Sequence, residues 1–173
     1  ELIDRALALG YPAMALTDHD NLYGAMEYAN AARERGLKPI TGCELTVTQE
    51  GASDEATPLA TRNSQLATPP HLTVLAQDVE GYRNLCRLLS RAYRVHGKDA
   101  PVVERDWLFE HNAGLLVLSG CRDSELARLA VADPRRADVL AGRYRDVFGD
   151  RFFVELQHHD VFGDTERVAA LAG

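Results

Sequence analysis

Cysteine is scarce in this sequence. Cys43, Cys86 and Cys121 are three in 173 residues, an odd number too small for a disulfide framework. A reduced, cytoplasmic protein follows from that usage. Long apolar runs are missing too: nothing approaches the ~18 residues that span a bilayer, so no membrane partner is expected. The opening stretch Glu1–Gly10 carries Asp4 and Arg5 among apolar residues, the pattern of an amphipathic helix and not of a signal peptide. Basic charge is in deficit. The formal net charge is -7, whereas a free-standing nucleic-acid binder draws most of its affinity from cations. There is no glycine-rich phosphate loop and no Ser-His-Asp order. These absences leave a catalytic or scaffolding module whose acidic residues can hold metal ions.

What is present points to one soluble globular domain. The length fits a single domain, and the 46% hydrophobic and 26% charged shares are ordinary for one. Leu2, Ile3, Ala6 and Leu9 recur at helical spacing, with Gly10 placed to end the helix. Pro12–Thr17 reads as a buried strand, followed by the polar turn Asp18-His19-Asp20-Asn21. A helix is expected over Leu22–Arg35, then a strand over Leu37–Val47 kinked at Gly42. Thr48–Pro70 is rich in Ser, Thr, Ala and Pro without apolar period, and reads as a mobile loop. Further on, the pattern predicts a strand at His71–Ala76 and a helix at Val79–Val95 with Leu85, Leu88, Leu89 and Ala92 on one face. A helical turn at Glu104–His111, a strand at Leu115–Leu118 and helices at Ser124–Ala132 and Arg135–Phe148 follow. The last elements are a strand at Phe152–Leu156 and a helix from Thr165. Strands alternating with helices predict an α/β fold with parallel strands. In such folds chemistry gathers at the carboxyl ends of strands.

Metal-competent side chains recur at those places. Asp18 and His19 follow the first strand, Cys43 and Glu44 lie within the second, Cys121 follows Ser119-Gly120, and Gln157, His158 and His159 follow the last. Imidazole, carboxylate and thiolate suit zinc; imidazole with carboxylate also suits manganese or iron. Gly42 and Gly120 permit sharp turns that would aim the next side chains inward. Each residue has a plainer reading. His19 is a ligand or a cap of the next helix, and Asp18 caps that helix, orients His19 or itself binds metal. Glu44 in isolation would be solvated surface. Cys43 and Cys86 read as small buried residues, and Cys121 as a reactive thiol or as buried filler. His71 opens its strand, the less favourable end, so the pattern ranks it last. His96, His111, His158 and His159 read as exposed.

The run ALGYPAMALTDHDNLYGAMEYANAARERGLKPITGCELTV, with HLTVLAQDVEGYRNLCRLLSRAY, APVVERDWLFEHNAGLLVLSGC and FGDRFFVELQHHD, resembles the PHP (polymerase and histidinol phosphatase) domain of bacterial C-family DNA polymerases. The resemblance covers nearly the whole chain apart from the Thr48–Pro70 loop. Stand-alone PHP phosphatases are similar at the histidine motifs but lack the GYRNL helix and a segment like ERDW.

The resemblance implies a distorted (β/α)7 barrel holding up to three divalent ions (Zn, Mn or Mg). It implies that His19, Glu44, His71 and Cys121 are metal ligands, which reverses the low rank of His71, and that Asp18 supports the site from a second layer. The family's opening HxH motif is expected before Glu1 and its closing DxH motif after Gly173, so the chain reads as a partial domain cut at both ends, without the polymerase palm, fingers and clamp-binding regions. As it stands, it would then bind metal weakly or not at all. The implied parent is a DNA polymerase III alpha subunit or its error-prone paralogue, acting on DNA and deoxynucleoside triphosphates, with a sliding clamp and a proofreading subunit as partners. VELQHHD leans slightly to the paralogue. The implied chemistry is metal-dependent hydrolysis of a phosphodiester at a DNA 3′ end. The alternatives are a catalytically silent docking domain and a stand-alone PHP phosphatase.

Overall fold

The computed structural model describes residues 1–48 and 69–172. Apart from its two ends, the Thr48–Pro70 loop therefore lies outside the described residues. Five strands form one sheet: β1 (Ala13–His19), β2 (Lys38–Thr46), β3 (His71–Ala76), β4 (Leu115–Leu118) and β5 (Phe152–Phe153), in that spatial order. Among the described residues seven α-helices accompany them: α1 (Leu2–Ala8), α2 (Ala25–Glu34), α3 (Val79–His96), α4 (Arg105–Glu110), α5 (Glu125–Ala132), α6 (Pro134–Phe148) and α7 (Asp164–Ala172). None is long and apolar enough to cross a membrane.

The α/β class holds, but the all-parallel expectation does not. β1 pairs with β2, and β4 with β5, in parallel, whereas β3 is antiparallel to both β2 and β4. β3 alone is reversed. Apolar periodicity records burial and is blind to strand direction, which the connections decide.

Local sequence accounts for the helix boundaries. Asp78 caps α3, its carboxylate accepting the Gly81 N–H at 2.9 Å. Ser124 caps α5 through the Ala127 N–H at 3.2 Å. Asp133 caps α6, with Pro134 at the first position, where the missing N–H costs nothing. α1 closes before Gly10 and α2 before Gly36, both with positive φ. The predicted apolar face of α3 is the buried one: Leu85, Leu88, Leu89 and Ala92 join Cys43, Leu45, Leu72, Val74, Leu115 and Val117 in the main core. Truncating one such leucine to alanine costs about 2–5 kcal/mol.

Several predicted features change. β1 runs on to His19, past the predicted Thr17, and α2 begins at Ala25, later than the predicted Leu22. β2 runs through Gly42 without a kink. Glycine is needed there for close approach, since a Cβ would meet Leu75 Cδ2 at 2.5 Å and the Val74 carbonyl at 2.7 Å. β5 stops at Phe153, short of the predicted Leu156. Beyond it, the Glu155 N–H turns to the Ser119 hydroxyl at 2.9 Å and leaves the ladder.

Candidate metal centre

The register brings the candidate ligands to one end of the sheet. His19, the last residue of β1, lies opposite Glu44 of β2. Glu44 lies opposite Thr73, and Thr46 opposite His71, the first residue of β3. Because β3 is reversed, its beginning meets the carboxyl ends of β2 and β4, on the same end of the sheet as His19 of β1. The rule that ranked His71 last assumed a parallel strand.

The side chains converge. His19 Nδ1 is 3.6 Å from Glu44 Oε2, and His71 Nδ1 is 3.5 Å from Glu44 Oε1. The two imidazoles meet edge to face, centroids 4.6 Å apart. The ligand atoms of all three residues lie within 4.8 Å of one another, the one such group of three among the described residues. Donors bonded to zinc at about 2.0–2.2 Å in a tetrahedron stand about 3.3–3.6 Å apart. Two nitrogens and a carboxylate at these separations therefore fit a divalent ion.

The back of His19 is held. Its Nε2 lies 3.2 Å from Asp20 Oδ2 and 3.4 Å from Thr46 Oγ1. Asp20 is buried and its backbone is left-handed, with φ 52°. Its carboxylate accepts from the Thr46 N–H at 2.7 Å and the Thr46 hydroxyl at 2.6 Å. The Asp20 N–H donates to the Glu44 carbonyl at 2.9 Å, and the Tyr93 hydroxyl to the Asp20 carbonyl at 2.7 Å.

Asp18 is placed elsewhere. Its Oδ2 accepts the Gly24 N–H at 2.9 Å, tying down the chain that opens α2. Of its three readings, this contact stands nearest to securing the chain before α2, whose own N-cap Gly24 has no side-chain cap, and the carboxylate on His19 is that of Asp20. The residue pattern placed Asp20 in a polar turn after the first strand and gave it no role of its own. The one signal available was an acidic residue directly after the histidine.

Cys121 does not join the three-residue cluster. It follows Gly120, whose φ is 88° and whose added Cβ would come within 2.4 Å of the His71 carbonyl. The chain leaving β4 thus passes directly against the start of β3, and Cys121 enters the turn capped by Ser124. Gly120 makes the sharp turn expected of it; Gly42 does not. Cys43 is fully buried, and burial, with the Asp20 carboxylate adding to it, pushes its thiol up to about 12. It is core filler, as expected. His158 and His159 are exposed, on a loop fastened by Asp164, which accepts the His159 and Val161 N–H groups at 2.7 and 3.1 Å. His96 leans on Trp107 at 6.1 Å between ring centroids.

Comparison with known proteins decides the family. The PHP domain profile matches residues 1–159. The chain belongs to the PHP domain family. It is 41% identical over 151 residues to the DNA polymerase III subunit alpha of Thermus aquaticus, covering 86% of this chain and 12% of that protein. To the subunit of Escherichia coli strain K12 it is 40% identical over 157 residues, 90% of this chain and 12% of the relative. To that of Chlamydia trachomatis it is 38% identical over 159 residues, 92% of this chain and 12% of the relative. This PHP domain thus spans about an eighth of each relative's length. In fold it is similar to the crystal structure of a candidate metal-dependent phosphoesterase from Bifidobacterium adolescentis, with TM-score 0.54 and 15% identity, over 99% of this chain and 76% of that one.

Proposed function

We propose that this PHP domain is a metal-dependent phosphoesterase site acting on DNA 3′ ends, within a DNA polymerase III alpha-type enzyme. The observation that carries the reading is the convergence of His19, Glu44 and His71 on one point at the end of the sheet. A divalent ion bound there supplies an acidified water and offsets charge on phosphoryl oxygens. His19 and His71 would offer Nδ1, and Glu44 a carboxylate oxygen to each side. Cys121, at the same end of the sheet beyond Gly120, is proposed as a fourth donor. Nitrogen with carboxylate suits zinc or manganese better than magnesium, which prefers an all-oxygen shell.

The sheet is proposed as part of a (β/α)7 barrel. The whole polypeptide would extend primers on a DNA template from deoxynucleoside triphosphates in the cytoplasm, with a sliding clamp and a proofreading subunit as partners. The similarity to polymerase alpha subunits supports this parent over a stand-alone phosphatase. A docking role is the second reading. Phe153, Leu156, Val161 and the fully exposed Phe162 leave apolar surface beyond the β5 edge, which favours a covering partner.

The test is cleavage of a 3′-mismatched primer by the full-length protein, supplied with zinc or manganese, beside His19→Ala and Glu44→Ala proteins of equal stability. Cleavage that collapses in both variants is expected. Stoichiometric metal with no cleavage in the unaltered protein would move the domain to the docking reading.

A further inference from the structure

We infer that Asp20 is a positioning residue for the metal centre: its carboxylate fixes the tautomer and orientation of His19, so that Nδ1 faces Glu44 and His71. The inference rests on the metal-site reading above and adds a residue to it.

Three observations carry it. Asp20 Oδ2 lies 3.2 Å from His19 Nε2. A carboxylate has no proton to give, so the hydrogen of that contact sits on Nε2 and the lone pair on Nδ1. Nδ1 is the nitrogen that faces Glu44, at 3.6 Å. Thr46 agrees with this assignment: its hydroxyl donates to Asp20 at 2.6 Å, which leaves its lone pairs toward Nε2 at 3.4 Å.

The second observation is backbone conformation. Asp20 holds φ 52°, a left-handed region uncommon for residues other than glycine, which aspartate enters when its side chain bonds locally. Here both of its carboxylate oxygens, its N–H and its carbonyl are bonded, to Thr46, Glu44 and Tyr93. The left-handed turn is what folds the Asp20 side chain back onto the imidazole beside it. The third is the link to the opposite ligand. The Asp20 N–H holds the Glu44 carbonyl at 2.9 Å, so one residue ties the ends of β1 and β2 that carry His19 and Glu44. Metal-bound histidines characteristically donate their second ring N–H to a carboxylate, which sets the tautomer and raises ligand basicity.

The test is Asp20→Asn in the full-length protein. Asparagine keeps an oxygen for the Thr46 N–H but turns an NH2 donor toward Nε2. The proton must then move to Nδ1, the face that a metal needs free. In the metal-free protein, nitrogen NMR of the His19 ring is expected to report Nε2–H before substitution and Nδ1–H after it. Calorimetric titration with Zn2+ and with Mn2+ is expected to show affinity lower by about 10- to 100-fold. Thr46→Val is the structural control: it loosens the same turn and is expected to lower thermal stability while keeping the Nε2–H tautomer.

Outcomes separate the two claims. If His19→Ala leaves zinc and manganese affinity unchanged, the metal-site reading fails. If His19→Ala abolishes binding while Asp20→Asn alters neither tautomer nor affinity, the site stands and the role of Asp20 is overturned. A tautomer that moves equally in Thr46→Val also overturns it.

Discussion

His71 Nδ1 lies 3.5 Å from Glu44 Oε1 because β3 runs against β2. Had β3 been parallel, Ala76 would occupy that end of the sheet and the site would lack its second imidazole. The reversal also sets Gly120, just past the end of β4, against the His71 backbone.

That contact yields the first prediction. Gly120 has φ 88°, and a Cβ there would sit 2.4 Å from the His71 carbonyl. Gly120→Ala is expected to destabilise the fold by about 1–3 kcal/mol, since it adds a backbone clash to a strained conformation. It is also expected to weaken metal binding, because the yielding partner is the backbone that carries His71. Thermal unfolding and metal titration on the same sample check both.

A second prediction concerns Arg105 and Glu125. They form an ion pair with each side chain 6% exposed. Arg105 also donates to the Thr48 carbonyl at 3.0 Å and the Tyr144 hydroxyl at 3.2 Å. Glu125→Leu removes one buried partner of the Arg105 guanidinium and is expected to cost about 1–3 kcal/mol. Adding Arg105→Met is expected to recover a large part of that. Denaturant unfolding of the two singles and the double measures the coupling. Independent, additive losses would contradict the pair.

Cys43 gives a pH-dependent prediction. Its thiol is pushed up to about 12 by burial, whereas an unfolded cysteine titrates near 8.5. The folded state thus keeps a proton that the unfolded chain releases. The stability this represents is complete below about pH 8.5 and is lost as pH rises toward the folded value. Between those limits the unaltered protein is expected to lose about 1.4 kcal/mol per pH unit more than Cys43→Ala. In native protein at pH 8, iodoacetamide is expected to spare Cys43 and to reach the half-buried Cys86 and Cys121. Rapid modification of Cys43 would contradict its burial.

Much of this molecule was legible in its residues. The spans of β3 and β4, the apolar face of α3 and the Asp133-Pro134 break between helices follow from periodicity and capping chemistry. Strand direction did not, because a buried strand carries the same pattern either way; His71 was undervalued for that reason alone. Asp20 read as one member of a polar turn, and the φ of 52° that accompanies its approach to His19 is a backbone property that residue pattern does not reveal. β5 was overread at Val154–Leu156 because the apolar pattern continues there while the Glu155 N–H leaves the ladder for the Ser119 hydroxyl. The candidate ligands came through family resemblance, and the geometry gathers three of them while leaving Cys121 outside the cluster.

The central claim is that His19, Glu44 and His71 hold a divalent ion. The most direct measurement is the metal content of the purified full-length protein by mass spectrometry after dialysis against buffered zinc or manganese. His19→Ala, Glu44→Ala and His71→Ala proteins of matched stability should be run alongside it. The account predicts at least one ion per chain in the unaltered protein and a loss in each variant larger than the about 10- to 100-fold weakening typical of a supporting residue. Equal metal content in all four proteins would contradict it.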